Sequence, residues 1–359
     1  MNNEKTFILL TPGFPSSEGD TTCLPMQQSF VRNLKDMYPE IKIIVLSFQY
    51  PYHTNPYNWF DIPVIPFNGR NKGGLTKLLL RKQISRALRK INRESKTIGL
   101  FSFWYNECAW IGKKFADKNR IKHICWILGQ DARKENKYPE RLRAEHSELA
   151  ALSDFIRDEF EKNHGVRPKH VIPPAIDPRE FKHDRVARDI DVLAAGSLIP
   201  LKRYDLFVEV VAEIKKEIRN VKATLAGDGP ERKKLESLIE KSGLGNNILM
   251  TGELPHSQVL QLMQRTKLFL HPSSYEGFGV VCLEALYAGA HVISFCKPMK
   301  NEIAHWNIVN DKAQMERKTL EILQNAKTDH SPVAPYLMSE SVKAIGEIFN
   351  FGDRSPTTI

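Results

Sequence analysis

The sequence predicts an α/β protein of two domains, each a mostly parallel sheet with helices wound on its faces. Three observations predict it. Short apolar runs of strand type alternate with amphipathic helical stretches through both halves of the chain. The 359 residues suffice for two cores of ordinary size. A charged stretch, 178–188, interrupts the alternation near the middle. The expected division is therefore 1–185 and 186–334, with a last helix within about 335–359 crossing back to the first domain.

Composition excludes several classes. A 42% hydrophobic and 26% charged chain is globular. The first apolar run is too short for a signal-peptide core, and no stretch approaches the roughly 20 apolar residues of a membrane span. Cys23, Cys108, Cys125, Cys282 and Cys296 are odd in number and far apart, without metal or redox spacing, and read as reduced cytosolic thiols. No Asp-x-Asp or His/carboxylate cluster suggests a metal. The net charge of +10 favours anionic partners.

In the first half, Thr6–Thr11 is a buried-type strand running into a loop, Gly13 to Gly19, ahead of a helix over Leu24–Tyr38. Ile41–Ser47 is a second strand. Phe48–Phe67 reads as a long aromatic and proline-rich loop ending in a short strand, Val64–Phe67, with its tyrosines and Trp59 either packed or available to an acceptor. A helix follows Gly73-Gly74, with Leu80, Ile84, Leu88 and Ile91 on one face and Lys82, Arg86, Arg89 and Arg93 on another. Between Arg70 and Lys96 ten Lys/Arg face one Glu, so this stretch carries +9 of the formal +10. Nucleic-acid binding is not indicated, because aromatic interleaving and recognised motifs are lacking. Ile98–Phe103 and His123–Leu128 are further strands around a helix over Asn106–Asp117, with His123 a packing residue. Gln130 and Asp131 are the polar groups at the second strand's mouth. Leu149–Phe155 leads to a helix over Asp154–His164, stopped by Gly165.

In the second half, strands over Ile190–Ala195, Val221–Ala226, Ile248–Thr251, Leu268–Leu270 and His291–Phe295 alternate with helices over Tyr204–Lys216, up to Lys241, His256–Gln264 and Val280–Ala288. Glu276-Gly277-Phe278-Gly279 forms the turn between the fourth strand and its helix. Ligands of open α/β sheets bind at such a turn. The amides that open the helix at Val280 can meet an anion, while Glu276 before the turn and Glu284 one turn into the helix flank it. Lys312–Gln324 and Glu340–Phe349 complete the helices.

Glu276, seven residues and then Glu284, with Gly277-Phe278-Gly279 between and Ala285 and Gly289 after, resembles the donor-site motif of retaining GT-B glycosyltransferases, the family numbered four above all. The resemblance covers most of residues 5–295 and is more specific from Ile190 onward. It implies two Rossmann-like domains facing a central cleft, an N-terminal acceptor domain and a C-terminal nucleotide-sugar domain. By resemblance Glu276 contacts the donor sugar, Glu284 holds the ribose, and the amides of Gly277, Phe278, Gly279 and Val280 bind the diphosphate. In the loop Gly196-Ser197-Leu198-Ile199-Pro200-Leu201-Lys202-Arg203, Lys202 matches the family's diphosphate lysine. Ser197 stands where relatives carry arginine, and Arg203 is a candidate for the second charge. Gly252 and Leu254 fall where relatives meet the base, and Gly13 in the first loop facing the donor. Leu128 replaces a histidine that many relatives carry, which leaves Asp131 as the candidate touching the reacting sugar or acceptor. Glu276, Lys202 and Asp131 form the predicted catalytic set.

The implied substrate is a UDP- or GDP-linked sugar, with no cofactor and no metal. The implied acceptor is a sugar or a lipid-linked hydroxyl in polysaccharide or glycolipid synthesis. The basic helix suggests an anionic membrane surface at the cytoplasmic face. A nucleotide-sugar epimerase of the same architecture, and a silent sugar- or membrane-binding relative, are the competing readings. After Phe295 the chain is shorter than the family pattern, with Glu302 the nearest match to its next glutamate.

Overall fold

The computed structural model describes residues 4–182 and 186–352. They form two compact units, Met1–Pro174 with Met338–Ile359, and Ala175–Leu337.

The first unit opens with β1 (Lys5–Gly13), α1 (Pro25–Met37) and β2 (Lys42–Tyr50). Next come β3 (Tyr57–Trp59), β4 (Ile62–Pro66), α2 (Gly74–Glu94) and β5 (Lys96–Phe103). Then follow α3 (Glu107–Asn119), β6 (His123–Ile127), α4 (Tyr138–Leu142), β7 (Leu149–Ala151), α5 (Asp154–His164) and β8 (His170–Val171). The sheet order is β3-β4-β2-β1-β5-β6-β7-β8, parallel except at β3–β4. β1 lies between two parallel neighbours, with Leu9 beside Val45 on one side and Phe101 on the other. Both its faces are covered, which is why Phe7 to Leu10 is an unbroken apolar run. Local signals close the helices. The Asn106 side chain accepts from the Cys108 amide, Ser153 accepts from Ile156, and Gly165 ends α5 in the left-handed region.

The stretch expected as a loop after Phe48 instead carries a hairpin, β3–β4, turned by Phe60 and Asp61 with φ of 46° and 60°. Trp59 on it is buried edge-on to Phe14 at 4.9 Å between ring centroids, and so serves the core. His123 is buried, with Nε2 2.8 Å from Ser102 Oγ, and burial drives its pKa down to about 3.

The second unit carries β9 (Ile190–Ala195), α6 (Tyr204–Glu217), β10 (Ala223–Ala226), α7 (Arg232–Lys241), β11 (Ile248–Gly252) and α8 (His256–Gln264). It continues with β12 (Thr266–His271), α9 (Val280–Tyr287), β13 (His291–Ser294), β14 (Trp306–Ile308) and α10 (Lys312–Gln324). Its six parallel strands run in the order β11-β10-β9-β12-β13-β14. Counted along the chain this is 3-2-1-4-5-6, the doubly wound dinucleotide-fold order. Val192, Leu225 and Leu270 of the sheet meet Phe207, Val211 and Ile214 of α6 in its core. β14 lies in the stretch where the sequence departs from pattern.

α11 (Met338–Phe349) belongs to the first unit, where it packs on α1. Phe349 meets Phe7 edge-on at 4.7 Å. A Cβ on Gly346 would lie 2.0 Å from Tyr38 Oη, so a larger residue there would have to push the Tyr38 ring aside.

The units divide between Pro174 and Ala175, ahead of the 185/186 boundary read from charge. Ala175 and Ile176 are buried, Ile176 bridges to Leu337, and Phe181 packs on Tyr287 at 4.6 Å, so the segment is anchored in the second unit by its apolar residues. Residues 183–185 of the expected linker and 353–359 of the expected last element lie outside the described residues. Among the described residues no helix is long and apolar enough to cross a membrane.

Candidate functional site

β9 and β12 are neighbours whose connections depart to opposite sides, toward β10 and β13. This is the topological switch point of the second sheet, where a crevice opens beyond the strand ends. The loop 196–203 leaves β9 there and the turn 272–279 leaves β12. The Ser274 amide donates to the Leu201 carbonyl at 3.0 Å and Ser273 Oγ to the same oxygen at 3.2 Å, tying the two loops together.

Glu276 is the centre of the site. Its Oε1 accepts from Lys202 Nζ at 2.5 Å, Ser273 Oγ at 2.9 Å and His271 Nε2 at 3.1 Å. Burial alone would raise its carboxyl pKa, but the His271 bond and the nearby charges hold it down at about 2. His271 is itself buried, and burial lowers its pKa. The turn ends at Gly279, whose φ of 83° starts α9 at Val280 with its first amides free of helical partners. Glu284, one turn in, lies 2.9 Å from His256 Nε2 at the start of α8. Burial would lower the pKa of His256, but the bond to Glu284 raises it above its ordinary value.

Close approach of backbones shapes the rest. A Cβ on Gly227 (φ 138°) would lie 2.0 Å from the Gly196 carbonyl oxygen. The Gly227 amide donates to the Gly252 carbonyl at 2.9 Å, placing the mouth of β11 beside that loop.

The structure thus gathers Gly196, Lys202, Glu276 to Val280 and Glu284 at one end of one sheet, with Gly252 and half-buried Leu254 at the next strand's mouth. Ser197 is exposed. Arg203 is also exposed and lies beside Asp205, with Nε 3.5 Å from Oδ1, so the second cation expected at the diphosphate is turned to its own helix. Phe278 packs its ring on Trp306 and Tyr336, which leaves its backbone as the part open to a ligand.

Gly13 and Asp131 belong to the first unit. Gly13 ends β1, and the loop beyond it is closed by Asp20, which accepts from the Ser16 amide at 3.0 Å and Tyr50 Oη at 2.8 Å. Asp131 is buried and its Oδ2 accepts the Leu128 amide at 2.9 Å. Burial pushes its carboxyl up to about 7. It therefore caps the turn after β6 in place of standing open at the strand's mouth.

Sequence reasoning missed His256, His271 and Ser273. His271 and Ser273 could have been found, since both precede Glu276 by a few residues at the strand's end. His256 is 28 positions from Glu284 and carries no local signal. Among the described residues no group of three or more His, Cys, Asp or Glu could hold a metal ion.

Residues 176–332 match the family described as glycosyl transferases group 1. The match spans nearly the whole of the second unit. A phosphatidylinositol N-acetylglucosaminyltransferase component from Arabidopsis thaliana is 30% identical over 164 residues, 44% of this chain and 37% of the relative. The GtfA component of a UDP-N-acetylglucosamine–peptide N-acetylglucosaminyltransferase from Streptococcus parasanguinis is 28% identical over 190 residues, 52% of this chain and 37% of the relative. Each match therefore spans little more than a third of the curated relative. The structure of Anabaena HepE in complex with UDP and glucose superposes with a TM-score of 0.66 over 96% of both chains at 17% identity, a likeness of fold. That fold is GT-B.

Proposed function

We propose that the chain is a retaining glycosyltransferase, moving a sugar from a nucleotide-diphosphate donor to an acceptor hydroxyl in glycolipid or cell-surface polysaccharide synthesis. The observation that carries this is the Lys202–Glu276 pair at the switch point, beside the open amides of α9. A diphosphate seated there meets the Lys202 cation and the amides of Phe278 to Val280, at the positive end of a helix dipole. Both stabilise the charge that grows on the leaving phosphate. Glu276, ionised at neutral pH, accepts a hydroxyl of the transferred sugar, and Glu284 accepts from the ribose. No step is assigned to a metal. The N-acetylglucosaminyltransferase relatives make UDP-N-acetylglucosamine the first donor to test, ahead of GDP-linked sugars.

The proposed acceptor is presented at an anionic membrane. On α2, Lys82, Arg86, Arg89 and Arg93 lie on the face opposite the buried Leu80, Ile84, Leu88 and Ile91. Its first two turns also expose Leu75 (80%), Leu78 (57%) and Leu79 (60%), an apolar patch beside the basic face. Near an anionic surface each cation contributes about 1 kcal/mol. Sedimentation with anionic vesicles should retain the protein at low salt and release it as salt rises. Equal retention by neutral vesicles removes this part of the proposal.

Incubation with a panel of UDP- and GDP-sugars tests the activity. Nucleotide release with an acceptor, and an α product from an α donor by NMR, support a retaining transferase. Activity that persists in EDTA supports the metal-free reading. Sugar interconversion without release points to an epimerase, and binding without turnover points to a silent relative.

A further inference from the structure

The two glutamates of the site are each gripped by one oxygen only. Lys202, His271 and Ser273 all donate to Glu276 Oε1, and among the described residues no protein group hydrogen-bonds its Oε2. Glu284 repeats the pattern: His256 Nε2 meets Oε1 at 2.9 Å, and Oε2 has no such partner among the described residues. The two histidines come from different elements, the last residue of β12 and the first of α8. Both reach the carboxylate through Nε2.

We propose that His271 and His256 are positioning residues of the donor site, each fixing one glutamate by Oε1 so that Oε2 accepts a hydroxyl of the nucleotide sugar. The inference rests on the function proposed above. An ionised carboxylate only accepts hydrogen bonds, and a sugar hydroxyl donates, so a carboxylate with one oxygen filled and one open fits a hydroxyl. A long glutamate side chain left unheld samples several rotamers and loses that freedom on binding, whereas a clamped one has lost it in advance. The chemistry of the two clamps differs. His271 is buried, which lowers its pKa, and it meets the ionised Glu276 by donating from Nε2. His256 faces Glu284 and, at longer range, the carboxylate of Glu180, and carries more positive charge.

Leucine and glutamine substitutions separate positioning from packing, because glutamine can place an N–H near the Nε2 position and leucine cannot. In titration calorimetry, His256→Leu should weaken binding of UDP about tenfold, as for loss of one supporting hydrogen bond. His256→Gln should stay within about threefold of wild type. His271→Leu should leave UDP affinity unchanged and weaken UDP-N-acetylglucosamine about tenfold, with His271→Gln again restoring it. Carbon NMR of the glutamate carboxyls reads the clamp without ligand: the Glu276 midpoint, held at about 2, should rise in His271→Leu and stay low in His271→Gln. Equal losses in the leucine and glutamine variants, no loss in either, or an unmoved Glu276 midpoint in His271→Leu overturns the proposal. A wild-type chain that binds no nucleotide overturns the functional reading and the hydroxyl assignment with it, while the carboxyl titration still decides whether the clamp exists.

Discussion

Replacing Lys202 with methionine removes the cation beside Glu276 while keeping a side chain of similar length. In the intact protein Glu276 has only 16% of its side chain exposed, yet its carboxyl is held at about 2 against an ordinary 4.5. At 1.36 kcal/mol for each pKa unit, that gap corresponds to about 3 kcal/mol of folding stability at neutral pH. His271 and Ser273 remain in the variant, so Lys202→Met should cost about 1–2 kcal/mol, less than the 3–5 kcal/mol of a fully stranded buried charge. The sign follows from the direction of the shift. A folded pKa below the unfolded one gives stability that is complete above about pH 4.5 and lost as pH falls through 2. The difference between variant and wild type in urea denaturation should therefore be largest at pH 7, smaller by roughly a third at pH 3 and mostly lost by pH 2. An equal difference at all three pH values would mean that Lys202 acts by packing, and no difference at any would mean that Glu276 is held by His271 and Ser273 alone.

In steady-state kinetics with a competent donor, Lys202→Ala should lower turnover roughly 100-fold and donor affinity much less, because the leaving phosphate gains charge only in the transition state. The Lys202→Ala/Arg203→Ala pair should be no worse than the single variant if Arg203 stays with Asp205. His256 has its folded pKa raised by Glu284, so its contribution is full below about pH 6.5 and is lost as pH rises through the folded value. Thermal melts of wild type from pH 6 to 8.5 should show that loss, and melts of His256→Gln should be flatter. Gly227→Ala, with φ of 138° and no room for a Cβ, should destabilise by about 2 kcal/mol or more. A melting temperature equal to wild type would mean that the two glycine loops can separate freely.

Much of the fold was legible because its signals are local and repeated. Uninterrupted apolar runs such as Phe7 to Leu10 mark strands covered on both faces, and the glycine turn before Val280 marks the strand end where a ligand fits. The hairpin β3–β4 was not legible, since its turn uses Phe60-Asp61 in left-handed conformations that sequence preference assigns to Asn-Gly pairs. The division at Pro174 carries no sequence signal, because the charge of 178–188 reads as a linker whereas Ala175, Ile176 and Phe181 are buried, which only the tertiary structure reveals. At the site, the motif gave Glu276, Glu284 and Lys202, which stand at fixed offsets from glycines. Asp131 looked open because its polarity was visible and its burial was not. Arg203 looked available because its neighbour Asp205 could not be recognised as its partner. His256 escaped because its contact with Glu284 is made between two packed helices, α8 and α9, and leaves no trace in spacing.

The return of α11 to the first unit has a consequence for how the chain is made. The surface that receives it, with Phe7, Tyr38 and Gly99, is complete once β5 has been synthesised, while Phe349 and Phe351 arrive some 250 residues later. At ribosomal speeds of about 5–20 residues per second, that apolar face waits uncovered for tens of seconds. The second unit, contained between Ala175 and Leu337, can close on itself within that interval. A nascent chain halted at Leu337 should therefore carry a finished second unit beside an unfinished first one. Proteases and chaperones would find their substrate in the half of the molecule that was translated first.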